Sequence, residues 1–159
     1  MDTVFSISLP RRPYTVAIVR DMLGALLCRS GLCQGCIDDI LISVSEACAN
    51  AIEHGGPNDG YEVETEFAPG WCEMRISHSG RAPDMTALAD RFTSPHAPLP
   101  GLESESGRGI LLMRYLMDEV DFSAEPRTTV ILRKRATSCE PACEEASTGD
   151  NPHAHFVLL

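Results

Sequence analysis

Lysine is almost missing from this 159-residue chain: Lys134 stands alone beside twelve arginines, and acids outnumber bases 23 to 13 for a formal charge of −10. That balance supplies no cationic surface for a phosphate backbone, so DNA and RNA are poor partners on composition. Long apolar runs are missing too. Nowhere do eighteen apolar residues follow one another, and the opening MDTVFSISLP has neither a positive n-region nor an apolar h-region. No membrane span is therefore expected, and a cytoplasmic location is. A second C-x-x-C is also lacking. Cys33 and Cys36 make one such pair, but none follows at zinc-finger spacing, and seven cysteines with no export signal point to reduced thiols rather than a disulfide framework. A thiol or metal sensor using Cys28, Cys33 and Cys36 is the remote alternative. So is a zinc set from Cys139, Cys143, His153 and His155, whose halves have no apolar support between them.

What is present suffices for one domain with a proper core, since 43% of the residues are hydrophobic. The chain is centred on residues 37–54, IDDILISVSEACANAIEH. Apolar residues recur at Ile37, Ile40, Leu41, Val44, Cys48, Ala51 and Ile52, the pattern of a helix with one buried stripe. Opposite that stripe lie Ser43, Glu46, Asn50 and Glu53, with Glu46 and Asn50 one turn apart on the same side. Polar residues there are ordinarily a solvated face. The sharper alternative makes Glu46 a general base and Asn50 a hard oxygen ligand for Mg²⁺, and periodicity does not separate the two.

In chain order, residues 3–9 read as a short edge strand ended by Pro10 and Pro13. Residues 14–29 read as a helix with Ile18, Met22, Ala25 and Leu26 on one side, Arg20 and Asp21 outward, and Gly31 as its stop. Two strands, 61–68 and 71–78, flank a Pro69-Gly70 turn. Residues 79–106 carry Pro83, Pro95, Pro98, Pro100 and Gly101 with little periodicity beyond a possible helical piece at 85–92, which suits a working lid. Helical character resumes over 107–117, where Gly107 and Gly109 leave open N–H groups able to receive an anion. Strands 119–124 and 128–134 close the domain, residues 1–135. Residues 136–159 hold four acids and no Lys or Arg, a composition that predicts an unordered tail.

Taken in this order, SEACANAIEHG, with Glu46 and Asn50, resembles the N box of the GHKL ATPases, and GRGILLMRYLMDEV resembles their second glycine box. The short length and the MDEV ending resemble, more narrowly, the anti-sigma-factor serine/threonine kinases of bacterial partner switching. The resemblance covers roughly residues 3–135. It implies an α+β, two-layer α/β sandwich of the Bergerat type: a mixed, mostly antiparallel sheet with helices on one face, holding ATP and Mg²⁺. It also implies two partners, a STAS-domain anti-sigma antagonist that is phosphorylated and a sigma factor that is sequestered, and a homodimer is common in the family. On this sequence, Glu46 would activate the attacking hydroxyl, Asn50 would ligate Mg²⁺, and Gly107, Arg108 and Gly109 would meet the phosphates. Thr128 would lie near the adenine. Apart from the resemblance, the outward Arg20 and Asp21 read either as an ordinary solvated face or as a charged pair that docks a partner.

Four positions, His78, Ala82, Glu105 and Arg127, depart from the family pattern. The first glycine box is usually Asp, any residue, Gly, any residue, Gly; here the matching run is His78-Ser79-Gly80-Arg81-Ala82, so His78, Gly80 and Ala82 take those places. A neutral histidine accepts through one ring nitrogen only. Glu105 sits where relatives carry a basic residue, and Arg127 replaces the glycine before Thr128. The resulting alternative is a Bergerat-fold protein that binds nucleotide poorly and regulates by sequestering partners alone.

Overall fold

Alternation along residues 61–68 and 71–78 produces a hairpin that closes at Gly70, whose φ of +80° costs a glycine little. The computed structural model describes residues 2–82 and 105–136. Its elements run β1 (Asp2–Leu9), α1 (Tyr14–Leu27), α2 (Gln34–His54), β2 (Tyr61–Ala68), β3 (Trp71–His78), α3 (Glu105–Leu116), β4 (Glu119–Ser123) and β5 (Thr128–Arg135). Most of the expected lid, the helical piece at 85–92 and the tail beyond Ala136 lie outside the described residues.

The five strands form one sheet in the order β1-β2-β3-β5-β4, with β1 at an edge as expected. Every neighbouring pair is antiparallel. The expected mixed, mostly antiparallel sheet is antiparallel throughout for the described strands: β5 inserts between β3 and β4, which run the same way, so those two are not neighbours. One face is apolar and buries Val63, Met74, Ile76, Val130 and Leu132 under the helices. The other is charged. There Glu73, only 3% exposed, lies 2.5 Å from Arg133 Nε and 2.5 Å from Arg75 Nη2. The Arg75 contact is an ion pair off hydrogen-bond angle, leaving Oε1 without a hydrogen bond. The bond from Glu73 is also the main reason the Arg133 guanidinium is held above its ordinary range. Such a pair adds little net stability when intact, yet costs several kcal/mol (about 3–5) when one partner of a buried pair is removed.

Helix α1 buries a different stripe from the one its sequence suggests. Thr15, Val19, Leu23 and Leu27 face the core, whereas Ile18 and Met22 are exposed at 39% and 44%. Both stripes of this helix are apolar enough to serve. The choice falls to Thr15 because its hydroxyl lies 2.7 Å from the buried Tyr61 hydroxyl, a partner that periodicity does not see. Arg20 and Asp21 are exposed, as expected.

Helix α2 begins a turn earlier than its apolar periodicity, at Gln34, with Cys33 as an extended N-cap. It is the central layer, packed on α1, α3 and the sheet. That explains a second correction: Ser43, assigned to the polar side with Glu46, is fully buried, with no hydrogen-bond partner for Oγ. The lone lysine turns out to be an internal staple. From the helix side of β5, Lys134 Nζ reaches Asp39 Oδ2 of α2 at 2.8 Å and the Leu116 carbonyl of α3 at 2.5 Å. Burial alone would lower its pKa, but Asp39 outweighs this and holds the ammonium above its ordinary 10.5.

Candidate functional site

The site is built along α2. At its middle, Glu46 is half-buried, and its carboxylate lies against the start of α3: a Cβ placed on Gly109 would stand 2.7 Å from Glu46 Oε2. Only glycine allows this approach without displacing the carboxylate. At the C-terminal end of the same helix, the carbonyl oxygen of His54 presses on Gly80, where any Cβ would overlap it. Asn50, also half-buried, sits midway, one turn from each end. The three positions span about 12 Å of helix. Helix α2 therefore touches both glycine elements, one along its flank and one at its end, although they are separated by some thirty residues in sequence.

Helix α3 begins at Glu105, two residues before the expected start. Gly107, Arg108 and Gly109 thus fall in its first turn and a half. Gly107 and Gly109 are buried and Arg108 is exposed. The bareness of Gly109 gives Glu46 its space.

At the other end, β2, β3 and β5 align Tyr61, His78 and Thr128 in one cross-strand row. Thr128 Oγ1 donates to the Gly80 carbonyl at 2.6 Å, and the Gly80 N–H donates to His78 Nδ1 at 3.0 Å. His78 and Thr128 are 4% and 3% exposed. Burial first, then the positive charges near His54, Arg127 and Arg11, lower the His78 pKa from its ordinary 6.5. Ala82 is half-buried at the edge of the described residues. Arg127 turns away to Glu62, 2.6 Å from its Oε2.

One structural contributor has no motif. Arg11 Nη1 donates to the Ile52 carbonyl at 2.8 Å and its Nε to the Asp59 carbonyl at 3.0 Å. It caps the end of α2 and fixes the loop that carries His54 towards Gly80. The only signal in sequence was an arginine between two prolines. The cysteines play no such part. None of the five described ones is in a disulfide, and burial pushes the thiols of Cys48 and Cys72 up to about 12, far from reactive thiolates. Cys33 and Cys36 fall at the N-cap and first turn of α2. Among the described residues, no three His, Cys, Asp or Glu side chains converge as a metal cluster, and no helix is long and apolar enough to cross a membrane.

A five-stranded antiparallel sheet under helices, with a Glu/Asn helix spanned by two glycine elements, defines a class. The chain belongs to the histidine kinase-like ATPase domain family, which matches residues 9–134. More particularly, it is similar to Serine-protein kinase RsbW of Bacillus velezensis, 33% identical over 132 residues covering 79% of this chain and 81% of that protein. The RsbW kinases of Bacillus subtilis strain 168 and Bacillus licheniformis are 32% and 31% identical over 131 residues, with the same coverage. Among solved structures, the RsbU and RsbW domains of Rv1364c from Mycobacterium tuberculosis share its fold at a TM-score of 0.64 and 22% identity. The match covers 89% of this chain and 34% of that one. The resemblance carried by SEACANAIEHG and GRGILLMRYLMDEV thus holds at the level of the family.

Proposed function

We propose that the chain is a Mg²⁺-dependent serine/threonine protein kinase that takes its phosphoryl group from ATP and also acts as an anti-sigma factor. Its substrate would be a STAS-domain antagonist and its sequestered partner a sigma factor. The observation that carries this reading is that α2 meets Gly109 through the Glu46 side chain and Gly80 through the His54 carbonyl at its end, with Asn50 between them. The relatives' name, serine-protein kinase, supports the reaction class.

In this scheme Glu46 accepts the proton of the attacking hydroxyl, and Asn50 offers its carbonyl oxygen to the cation. Mg²⁺ suits such a site because it keeps several waters and takes only one or two protein oxygens beside the phosphates. When bound, it neutralises charge on the transferring group. Gly107, Arg108 and Gly109, at the positive end of α3, meet the phosphates. Gly80, Ala82, His78 and Thr128 form the base end. On α1, Arg20 and Asp21 dock a protein partner beside the exposed Tyr14, Ile18 and Met22.

Two substitutions test the parts separately. Asn50→Ala is expected to lose Mg²⁺-dependent nucleotide binding; normal affinity for ATP with Mg²⁺ in calorimetry would remove the ligand assignment. Gly109→Ala is expected to change thermal stability little, because the Cβ meets the mobile end of a side chain, yet to slow transfer about 100-fold by displacing Glu46. A rate equal to the parent's would show that the carboxylate position does not matter. A second reading, partner sequestration without turnover, is favoured by His78 in place of the usual aspartate. Incubation with ATP, Mg²⁺ and a STAS-domain protein decides: phosphate on that protein supports the kinase, and a stable unphosphorylated complex supports the sequestering protein.

A further inference from the structure

We propose that the nucleotide site binds purines carrying oxygen at position 6, guanine or hypoxanthine, more tightly than adenine, with His78 as the residue that reads that position. This inference rests on the nucleotide-binding reading above and specifies its base. It starts from a single hydrogen bond. The Gly80 N–H donates to His78 Nδ1 at 3.0 Å, so Nδ1 must present its lone pair. In a neutral imidazole the proton then resides on Nε2.

The same bond explains how the first glycine box tolerates a histidine. An aspartate two residues before a glycine N–H accepts from it to close a turn, and Nδ1 supplies that acceptor here. The turn is kept, and so is the contact of Gly80 with the Thr128 hydroxyl at 2.6 Å. What changes is the remaining polar atom. A carboxylate would present a second acceptor, matched to the 6-amino group of adenine; His78 presents Nε2–H, a donor. No partner for it exists among the described residues. Burial of the ring, reinforced by the positive neighbours, keeps it neutral and therefore fixed as one donor and one acceptor.

A ring N–H donor set against an amino group would leave both without an acceptor, whereas a 6-oxo group would accept from it. Thr128 adds to the pattern. Its proton is committed to the Gly80 carbonyl, so its oxygen offers lone pairs only. One donor beside one acceptor complements the O6 and N1–H edge shared by guanine and hypoxanthine.

The test is competitive titration of the full chain with ATP, GTP and inosine triphosphate in the presence of Mg²⁺. Inosine triphosphate isolates position 6, because hypoxanthine lacks the 2-amino group of guanine. It is expected to bind about tenfold or more tightly than ATP. His78→Asp is expected to reverse that order. His78→Asn, which can accept from Gly80 through Oδ1 and donate through Nδ2, is expected to keep it. ATP binding as well as or better than inosine triphosphate in the parent, with the same order in His78→Asp, would overturn the base assignment and leave the kinase reading intact. Failure of all three nucleotides to bind would overturn the nucleotide reading itself and this inference with it. Thermal melts of both variants separate misfolding from a change of rank, which a purely structural histidine would not produce.

Discussion

Glu46→Gln is expected to retain nucleotide binding and to lose phosphoryl transfer by about 10²- to 10⁴-fold, the contribution of a positioned general base. The substitution keeps the shape of a half-buried side chain packed against Gly109 and changes only its charge and basicity. Binding should hold because the proposed scheme assigns nucleotide recognition to other groups: the head of α3, Asn50, and the His78-Gly80-Thr128 turn. Removing a negative charge beside a polyanion does not weaken its binding. The check pairs calorimetric affinity for ATP with Mg²⁺ and the rate of phosphate incorporation into a STAS-domain partner. Transfer within a few-fold of the parent's would exclude Glu46 as the base. Loss of binding along with transfer would make the residue structural instead.

The second large effect belongs to Gly80→Ala. The added Cβ would overlap the His54 carbonyl and approach the Gly55 Cα. Both are backbone atoms at a helix end that Arg11 holds in place, so neither can give by a rotamer change. Overpacking against side chains costs about 1–3 kcal/mol, and a backbone clash should fall at or above the top of that range. About 3 kcal/mol corresponds to a fall in Tm of roughly 6–12 °C for a chain of this size. The Thr128 and His78 bonds to Gly80 would be disturbed together, so nucleotide affinity should fall with stability. Gly35→Ala is the matched control. A Cβ at Gly35 meets nothing within 4 Å, and the residue lies in the first turn of α2, so a small gain of up to about 1 kcal/mol is expected. A Gly80→Ala protein that melts with the parent would show that α2 and the first glycine box do not meet as described.

Local signals specified much of this molecule. Periods of two and 3.6 located the β2–β3 hairpin to the residue and the other described elements to within about a turn, because those periods are properties of the chain itself. The resemblance of residues 45–55 and 107–120 supplied the family. Other features were not legible. Periodicity gives the angle of a side chain around a helix but not which angles a neighbour will cover. Ser43 therefore looked solvated until α3 closed over that side, and Ile18 and Met22 looked buried although Thr15 had a partner in Tyr61.

The sequence by itself determined that a helix bearing Glu46 and Asn50 would form and that glycines would mark two approaches to it. Only the tertiary structure decided that both approaches meet that one helix, that Lys134 ties its start to α3, and that His78 accepts from Gly80. The reason is physical. Helix and strand formation depend on residues a few positions apart, whereas the polarity of a ring nitrogen or the space beside a carboxylate depends on atoms that folding brings together from distant parts of the chain.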